Sequence, residues 1–338
     1  MLTKHITYLR EKVLETWGHR ILLLFLVLAI LMVAAVLLHA YLFGPPSPDG
    51  TRADFVVQPG QSLEEVAHTL ETEGYVRYGT VFAFAYSFVR GELTVRPGGY
   101  ALARDMDAWT VAKTLGEMPH LSWITIPAGV RKEEIADILT GTLGWTDTQK
   151  TEWLASTDLS PETFEGVYFP DTYLIPSDQP PSEVAARLRG RFDEASASYA
   201  AVAAEKGMDW ETVITLASLV EKEAAKNDKA LVAGILWNRI NKNMLLQVDA
   251  TLQYIAGTEE DWWPVPDADD KTTDSPYNTY KVTGLPVHPI ANPSIESIEA
   301  VVNPDKTACL YYIHDGYGRI HCSPNYKGHV ANVNRYLK

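Results

Sequence analysis

Residues 216–225 read Leu-Ala-Ser-Leu-Val-Glu-Lys-Glu-Ala-Ala and predict a helix with one apolar side. On a helical wheel centred on Val220, Glu221 lies about 100° to one side and Glu223 about 60° to the other. Both carboxylates therefore border the apolar stripe, where burial can raise a pKa toward that of a general acid. The alternative is a solvated edge of weak Glu–Lys surface pairs. Wheel geometry alone does not choose between Glu221 and Glu223.

Polar and aromatic residues suited to a sugar ligand follow this helix. Aromatic faces can stack on pyranose rings, and amides can bind hydroxyl and N-acetyl groups. The candidate substrate-binding residues are Asn238, Gln247, Asp249, Tyr277, Asn278 and Tyr280. Structural capping and loop hydrogen bonding are the alternative for each of them.

A strand–glycine turn–helix pattern occurs twice before this region. Residues 55–70 are echoed by residues 124–139, with Gly60 and Gly129 superposing at a constant offset of 69 positions. In each copy, Val or Ile and Leu recur four residues apart on one helix face. The pattern resembles a LysM-like module, whose opening often binds glycans that contain N-acetylglucosamine. A purely structural spacer is the alternative.

The first 50 residues predict a membrane anchor. Residues 21–43 carry no formal charge, and at about 1.5 Å per residue they span a bilayer core. A proline-rich linker at 44–53 follows, without the small-residue cleavage site of a signal peptide. Lys4, Arg10, Lys12 and Arg20 precede the span, so the N-terminus is expected in the cytoplasm and the rest outside it.

Composition excludes several classes of function. Hydrophobic residues at 46% and charged residues at 21% are typical of globular domains, so wholesale disorder is excluded. The formal net charge of −14 argues against nucleic acid as a partner, but it is compatible with a carbohydrate. The histidines lack the spacing of a known metal motif, so no metal and no cofactor are expected.

The chain has two cysteines, Cys309 and Cys322, within a predicted β-hairpin. If Asp315 and Gly316 are the two turn residues, counting back along the strands places the cysteines opposite each other as a non-hydrogen-bonded pair. A cross-strand disulfide and two free thiols are both compatible with this pattern.

Several motifs together resemble the endolytic murein transglycosylases of the MltG/YceG family, over roughly residues 50–338. The matching segments occur in the family's order and are residues 165–173, 216–223, 232–239, 246–251, 275–286, 291–293 and 303–304. The resemblance implies a single-pass enzyme of the plasma (inner) membrane that cuts nascent peptidoglycan strands internally. Its partners would be glycan strands, the membrane and peptidoglycan synthases.

The resemblance also implies a mechanism that uses one glutamate and no water. The C6 hydroxyl of N-acetylmuramic acid attacks its own anomeric carbon, which leaves a 1,6-anhydro end. Aligned with soluble lytic transglycosylases, whose acid sits in a Glu-Ser pair, the sequence offers Glu223 as the acid/base and Glu221 as the runner-up. Ala224 departs from the Ser or Thr that usually follows the acid.

The predicted architecture is α+β. It comprises a cytoplasmic tail (1–20), a transmembrane helix (21–43), a linker (44–53), a LysM-like module (54–145) and a mixed α/β catalytic domain of the YceG type (146–338). Two alternative functions stay open. One is a muramidase that uses Asp249 as a second carboxylate, and the other is a non-catalytic scaffold that binds peptidoglycan.

Overall fold

The computed structural model describes residues 2–156 and 165–337. It shows a mixed α+β protein that divides into two compact units, Met1–Leu121 and Ser122–Lys338. This division differs from the sequence-based boundary at residue 145. The reason is that the second strand–turn–helix copy packs its Ile124 and Ile135 into a core with Trp153, Tyr173 and Leu188.

The first unit begins with one long helix, α1 (Leu2–Phe43). Among the residues that the structure describes, its segment Leu22–Phe43 is the one helix long and apolar enough to cross a membrane. None of the apolar window within that segment is buried against the protein. The side chains of Lys4, Arg10 and Lys12, which bear on the predicted orientation, lie outside the described residues.

The rest of the first unit is a small sheet with helices. Its elements are β1 (Ala53–Val57), α2 (Leu63–Thr72), α3 (Gly79–Arg90), β2 (Gly98–Leu102) and α4 (Ala108–Leu115). β1 and β2 pair antiparallel, with Ala53 opposite Leu102 and Val57 opposite Gly98. At the start of α2, Ser62 and Glu65 cap each other's backbone N–H groups, as a Ser-x-x-Glu sequence predicts.

Residues 44–53, predicted as a linker, are tied to the first unit. The guanidinium of Arg77 donates to the carbonyls of Tyr41 and Pro45 at 3.2 and 3.0 Å. The backbone N–H of Ser47 donates to the carbonyl of Arg104 at 3.1 Å. The end of α1 is thus held against the rest of the first unit.

The remaining elements begin at the division between the units. They are β3 (Leu121–Thr125), α5 (Lys132–Leu143), α6 (Asp147–Ser156), β4 (Thr172–Pro176), α7 (Pro181–Glu205), α8 (Trp210–Glu223), α9 (Lys229–Asn241), α10 (Asp249–Ala256), α11 (Ile295–Val302), β5 (Tyr311–His314), β6 (Ile320–Ser323) and α12 (Tyr326–Tyr336).

Helix α8 lies at the centre of the larger core. Its residues from Val213 to Val220 are all buried, so the helix is enclosed on every side rather than along one stripe. The buried hydroxyl of Ser218 is satisfied internally, because it donates to the carbonyl of Thr215 at 2.7 Å and accepts from the N–H of Ile290 at 3.1 Å. Asp209 caps the helix start by accepting from Thr212 at 2.8 Å.

The predicted hairpin exists, but its predicted register is wrong. Tyr312, not Cys309, is the residue opposite Cys322. The cause is a longer turn, because the Asp315 carboxylate accepts from the N–H groups of Tyr317 and Arg319 at 2.9 and 3.0 Å. The cysteines nevertheless form a disulfide with Cα atoms 5.8 Å apart, and Cys309 precedes β5.

Candidate active site

The end of α8 places Glu223 in a cleft. The helix stops there because Ala224 is extended, with φ −87° and ψ 145°. The cleft has a volume of about 340 Å³ and is lined by Glu223, Arg239, Leu246, Gln247, Asp249, Tyr280, Tyr311, Tyr312, Tyr326 and His329. An acidic group in a cleft of phenols and amides suits the protonation of a sugar.

Glu223 is partly buried and bonded to one phenol. The hydroxyl of Tyr312 donates to its Oε2 atom at 2.7 Å. Burial raises the pKa of Glu223 above its usual value. Hydrogen bonds from Tyr312 and from the backbone N–H of Ala250 lower the pKa, but they offset only part of the effect. The carboxyl is therefore biased toward its protonated form, which a general acid requires.

Glu221 lies in an entirely different environment. Its Oε2 atom accepts from Lys229 Nζ at 2.9 Å, from the Ser294 N–H at 3.0 Å, and from the hydroxyls of Ser294 and Ser297 at 2.5 Å each. Burial raises its pKa, but these donors outweigh burial, and the net pKa is lowered. Glu221 is thus an ionised carboxylate that joins α8 to α9 and to the start of α11.

Lys222 points away from both glutamates. Its ammonium donates to the carbonyl of Gly129 at 3.2 Å and lies 3.4 Å from the ring centre of Trp263. Burial lowers its pKa. The three charged side chains of the last turn of α8 therefore each contact a different part of the protein. They do not form the solvated edge of surface Glu–Lys pairs that was the alternative prediction from the sequence.

A second carboxylate lines the same cleft. Asp249, the first residue of α10, accepts a short hydrogen bond from the hydroxyl of Tyr280. Its neighbour Gln247 is exposed and has a left-handed backbone with φ +51°. This conformation is uncommon outside glycine, and the N–H of Gln247 is held by the carbonyl of Thr279 at 3.1 Å. The cleft thus brings together Glu223, Gln247, Asp249 and Tyr280.

A sequence profile of the YceG-like family matches residues 55–335. This chain belongs to the YceG-like family.

Relatives named endolytic murein transglycosylase come from two genera. Those of two Streptococcus pneumoniae strains are 28% identical over 318 residues, which is 83% of this chain and 58% of theirs. The chain thus spans under two-thirds of the pneumococcal relatives. The Bacillus subtilis relative is 28% identical over 335 residues, covering 88% of this chain and 90% of its own. A crystal structure of a YceG-like protein from Listeria monocytogenes has a TM-score of 0.58 and 25% identity, covering 83% of this chain and 99% of that one.

Three of the residues that sequence reasoning assigns to the substrate lie elsewhere in this YceG-like domain. Asn238 donates to the carbonyls of Thr307 and Cys309 at 2.8 and 3.1 Å and so holds the segment that precedes β5. Asn278 is fully buried and holds its own loop. Tyr277 packs on Tyr254, with ring centres 4.9 Å apart.

Besides Leu246, five residues of the cleft were not among the sequence-based candidates. Arg239 is buried and donates to the carbonyls of Leu246 and Leu310 at 2.5 and 2.6 Å, so it joins α9 to both sides of the cleft. The others come from the C-terminal hairpin and helix and are Tyr311, Tyr312, Tyr326 and His329. The tyrosines in and after the hairpin are the sequence signal that could have identified these residues, because an aromatic-rich strand beside a sugar-binding region can supply stacking surfaces.

Among the described residues of this YceG-like chain, no group of three or more His, Cys, Asp or Glu side chains is arranged to hold a metal ion. That the reaction needs no metal or cofactor stays a prediction from the sequence.

Proposed function

We propose that this protein is a membrane-anchored lytic transglycosylase that cleaves peptidoglycan glycan strands internally, with Glu223 as the acid/base. The observation that carries the proposal is the Glu223 carboxyl in the cleft, with its pKa raised by burial and its orientation held by Tyr312. Membership of the YceG-like family and the names of the relatives support the same activity.

The proposed reaction has two proton transfers and consumes no water. Protonated Glu223 donates to the glycosidic oxygen between N-acetylmuramic acid and N-acetylglucosamine, and the bond from that oxygen to the anomeric carbon breaks. The Glu223 carboxylate then takes the proton of the C6 hydroxyl while the C6 oxygen bonds to the anomeric carbon. The products are a 1,6-anhydro end and a free N-acetylglucosamine hydroxyl, and Glu223 is protonated again.

Substrate positioning is assigned to the cleft residues. Tyr280 and Asp249 present a bonded phenol–carboxylate pair, and Gln247 offers an exposed amide beside them. Tyr311 and Tyr326 supply aromatic faces in the same cleft. This arrangement favours Gln247, Asp249 and Tyr280 over Asn238, Tyr277 and Asn278, whose side chains are engaged within the protein.

The decisive experiment compares Glu223→Gln with Glu221→Gln on uncrosslinked glycan strands, with strand ends read by mass spectrometry. We expect Glu223→Gln to lose cleavage by at least 100-fold, the order of general acid catalysis, and to stay folded. Glu221→Gln is the matched control on the same helix turn. It should lose about 1–3 kcal/mol of unfolding free energy, because it weakens bonds to Lys229, Ser294 and Ser297. Full activity of folded Glu223→Gln would refute the assignment.

A muramidase is the second candidate, because Glu223 and Asp249 line one cleft as two carboxylates. Such an enzyme would add water and leave reducing ends instead of anhydro ends. Digestion in ¹⁸O-labelled water separates the two chemistries, since only hydrolysis places the label in the product. The third candidate, a non-catalytic scaffold, predicts no cleavage by the unaltered chain.

A LysM-like glycan-binding role for residues 54–145 is also proposed. Its support is the strand–turn–helix of β1 and α2 with Gly60 at φ +84° in the turn. Binding of unlabelled glycan strands by Glu223→Gln protein, measured with and without soluble N-acetylglucosamine oligomers as competitors, tests it.

The proposed topology places the N-terminus in the cytoplasm and the residues after Phe43 outside the plasma (inner) membrane. It is supported by the apolar segment Leu22–Phe43 and by the Cys309–Cys322 disulfide, since disulfides persist in oxidising compartments. Peptidoglycan synthases are the proposed protein partners. Reporter enzymes that act on only one side of the membrane, fused at each end of the chain, test the orientation.

A further inference from the structure

The first unit exposes a cluster of aromatic side chains on α3 and α4. Phe84 and Phe88 lie one turn apart on α3 and are 58% and 75% exposed. Their ring centres lie 6.3 and 5.8 Å from that of Trp109 on α4. Phe84, Phe88 and Trp109 are called the α3 patch below. Clustered exposed aromatic rings mark an interaction surface more often than single exposed residues do.

The α3 patch is continuous with the end of the apolar segment of α1. Phe43, the last residue of that helix, stacks on Trp109 with ring centres 5.1 Å apart and planes 9° apart. The Phe43 ring also lies 6.3 Å from that of Phe84. The Tyr78 hydroxyl bonds that of Tyr41 at 2.9 Å. The patch is therefore fixed beside the residue at which the apolar segment stops.

We propose that the α3 patch inserts into the lipid–water interface of the bilayer that α1 crosses. This inference rests on the proposed membrane span. A surface in ring contact with the last residue of the span lies at the depth of the lipid headgroups, where aromatic side chains are favoured. Lys113 is exposed one turn from Trp109 on the same face of α4, where its ammonium can meet lipid phosphates. The protein thus contacts the membrane through the span and through a second surface.

The test places a fluorophore beside the patch in the full-length protein, reconstituted in nanodiscs of phosphatidylcholine and phosphatidylglycerol. Both native cysteines are in the disulfide, so one added cysteine is labelled selectively without reductant. Val89→Cys puts the label next to Phe88 and leaves the patch intact. Glu64→Cys, exposed in the first turn of α2, is the matched control. Leu31→Cys reports the span itself.

We expect the label at position 89 to be quenched by lipids with a nitroxide near the headgroup and to be shielded from iodide. The label at position 64 should show the reverse. Replacing Phe84 and Phe88 together by Ser should at least halve the lipid quenching at position 89, with thermal unfolding unchanged because both side chains are exposed.

Two results would overturn the proposal. One is iodide access at position 89 equal to that at position 64, and the other is quenching unaffected by the double substitution. Shielding found only in native membranes and absent in pure lipid would assign the patch to a protein partner instead. If Leu31 is quenched deep in the bilayer while position 89 is not, the span stands and the patch inference alone fails.

Discussion

The hydrogen bond from the Tyr312 hydroxyl to Glu223 affects the pKa of the proposed general acid, and through it the pH dependence of activity. Because this bond lowers the pKa of Glu223, Tyr312→Phe should raise that pKa further. A general acid works while it is protonated, so the alkaline limb of kcat/KM should move to higher pH. We also expect kcat to fall about tenfold, equivalent to about 1.4 kcal/mol of lost positioning.

The control is Tyr311→Phe, since Tyr311 lines the same cleft and lies against Arg239 rather than Glu223. Its alkaline limb should coincide with that of the unaltered protein. An alkaline limb that stays in place or moves to lower pH in Tyr312→Phe contradicts the proposed acid.

The buried Glu165 makes the stability of the folded state depend on pH. Glu165 accepts from the Lys132 N–H at 2.9 Å and from the Asn292 amide at 2.6 Å, and burial raises its pKa to about 8. At pH values between the unfolded-state pKa of about 4.3 and this folded-state pKa, the carboxyl has lost its proton in the unfolded state but keeps it in the folded state. The Glu165 carboxyl therefore reduces the stability of the folded state as pH rises through this window.

Glu165→Gln should make this effect measurable. Gln has one acceptor for the two donors, so the variant should be less stable at pH 4–5 by about 1–3 kcal/mol. Because Gln does not titrate, this deficit should shrink as the pH rises toward 8, by up to about 1.4 kcal/mol per pH unit, and should change sign within the range. Urea unfolding across this range checks it, with Glu183→Gln, at an exposed position of α7, as the control. A deficit that grows with pH contradicts the raised pKa.

At the scale of elements, the sequence predicts α8 but not the difference between its glutamates. Leu216, Ala217 and Val220 fix the helix locally through their spacing. Two of the three residues that donate to Glu221, Ser294 and Ser297, lie more than 70 positions further along the chain. No local pattern encodes that contact, so the wheel leaves Glu221 and Glu223 equivalent.

The C-terminal hairpin shows the same limit. Its strands follow from apolar and aromatic residues on either side of a turn, whereas its register depends on the length of the turn that the hydrogen bonds of Asp315 close. His321 beside Asp315 holds the pKa of this carboxyl well below its usual range. A two-residue turn is the commonest choice, so the register predicted from Asp315-Gly316 was shifted.

The Cys309–Cys322 disulfide closes a loop that contains Tyr312 and should therefore affect both stability and activity. We expect the double substitution Cys309→Ser, Cys322→Ser to lower the free energy of unfolding by about 3 kcal/mol. Turnover should fall several-fold because Tyr312 loses its fixed position, while KM changes less. Tyr317→Ser at the exposed turn tip is the control and should leave both unchanged. Unchanged turnover in the double variant would mean that packing against α9 and α12 alone positions Tyr312.

At the scale of the whole molecule, both copies of the repeat have the local structure that the sequence predicts, but they belong to different compact units. Both copies form a strand, a glycine turn and a helix, with Gly60 and Gly129 at φ +84° and +78°. The first copy packs into the first unit, and the second joins the core around Trp153. Similar local sequences adopt similar local structure, but the side chains that cover each helix decide which unit it joins.

Separate cores predict separate unfolding. The first unit buries Phe82, Tyr86 and Leu102 in its own cluster, distinct from the clusters of the second unit. Calorimetry in detergent should therefore resolve two transitions. Phe82→Ala should destabilise one of them by about 3–5 kcal/mol, because it leaves a cavity in the first core only. The double cysteine substitution should lower the other, since the disulfide lies in the second unit. A single transition that both variants shift by the same amount would mean that the two cores unfold as one cooperative unit.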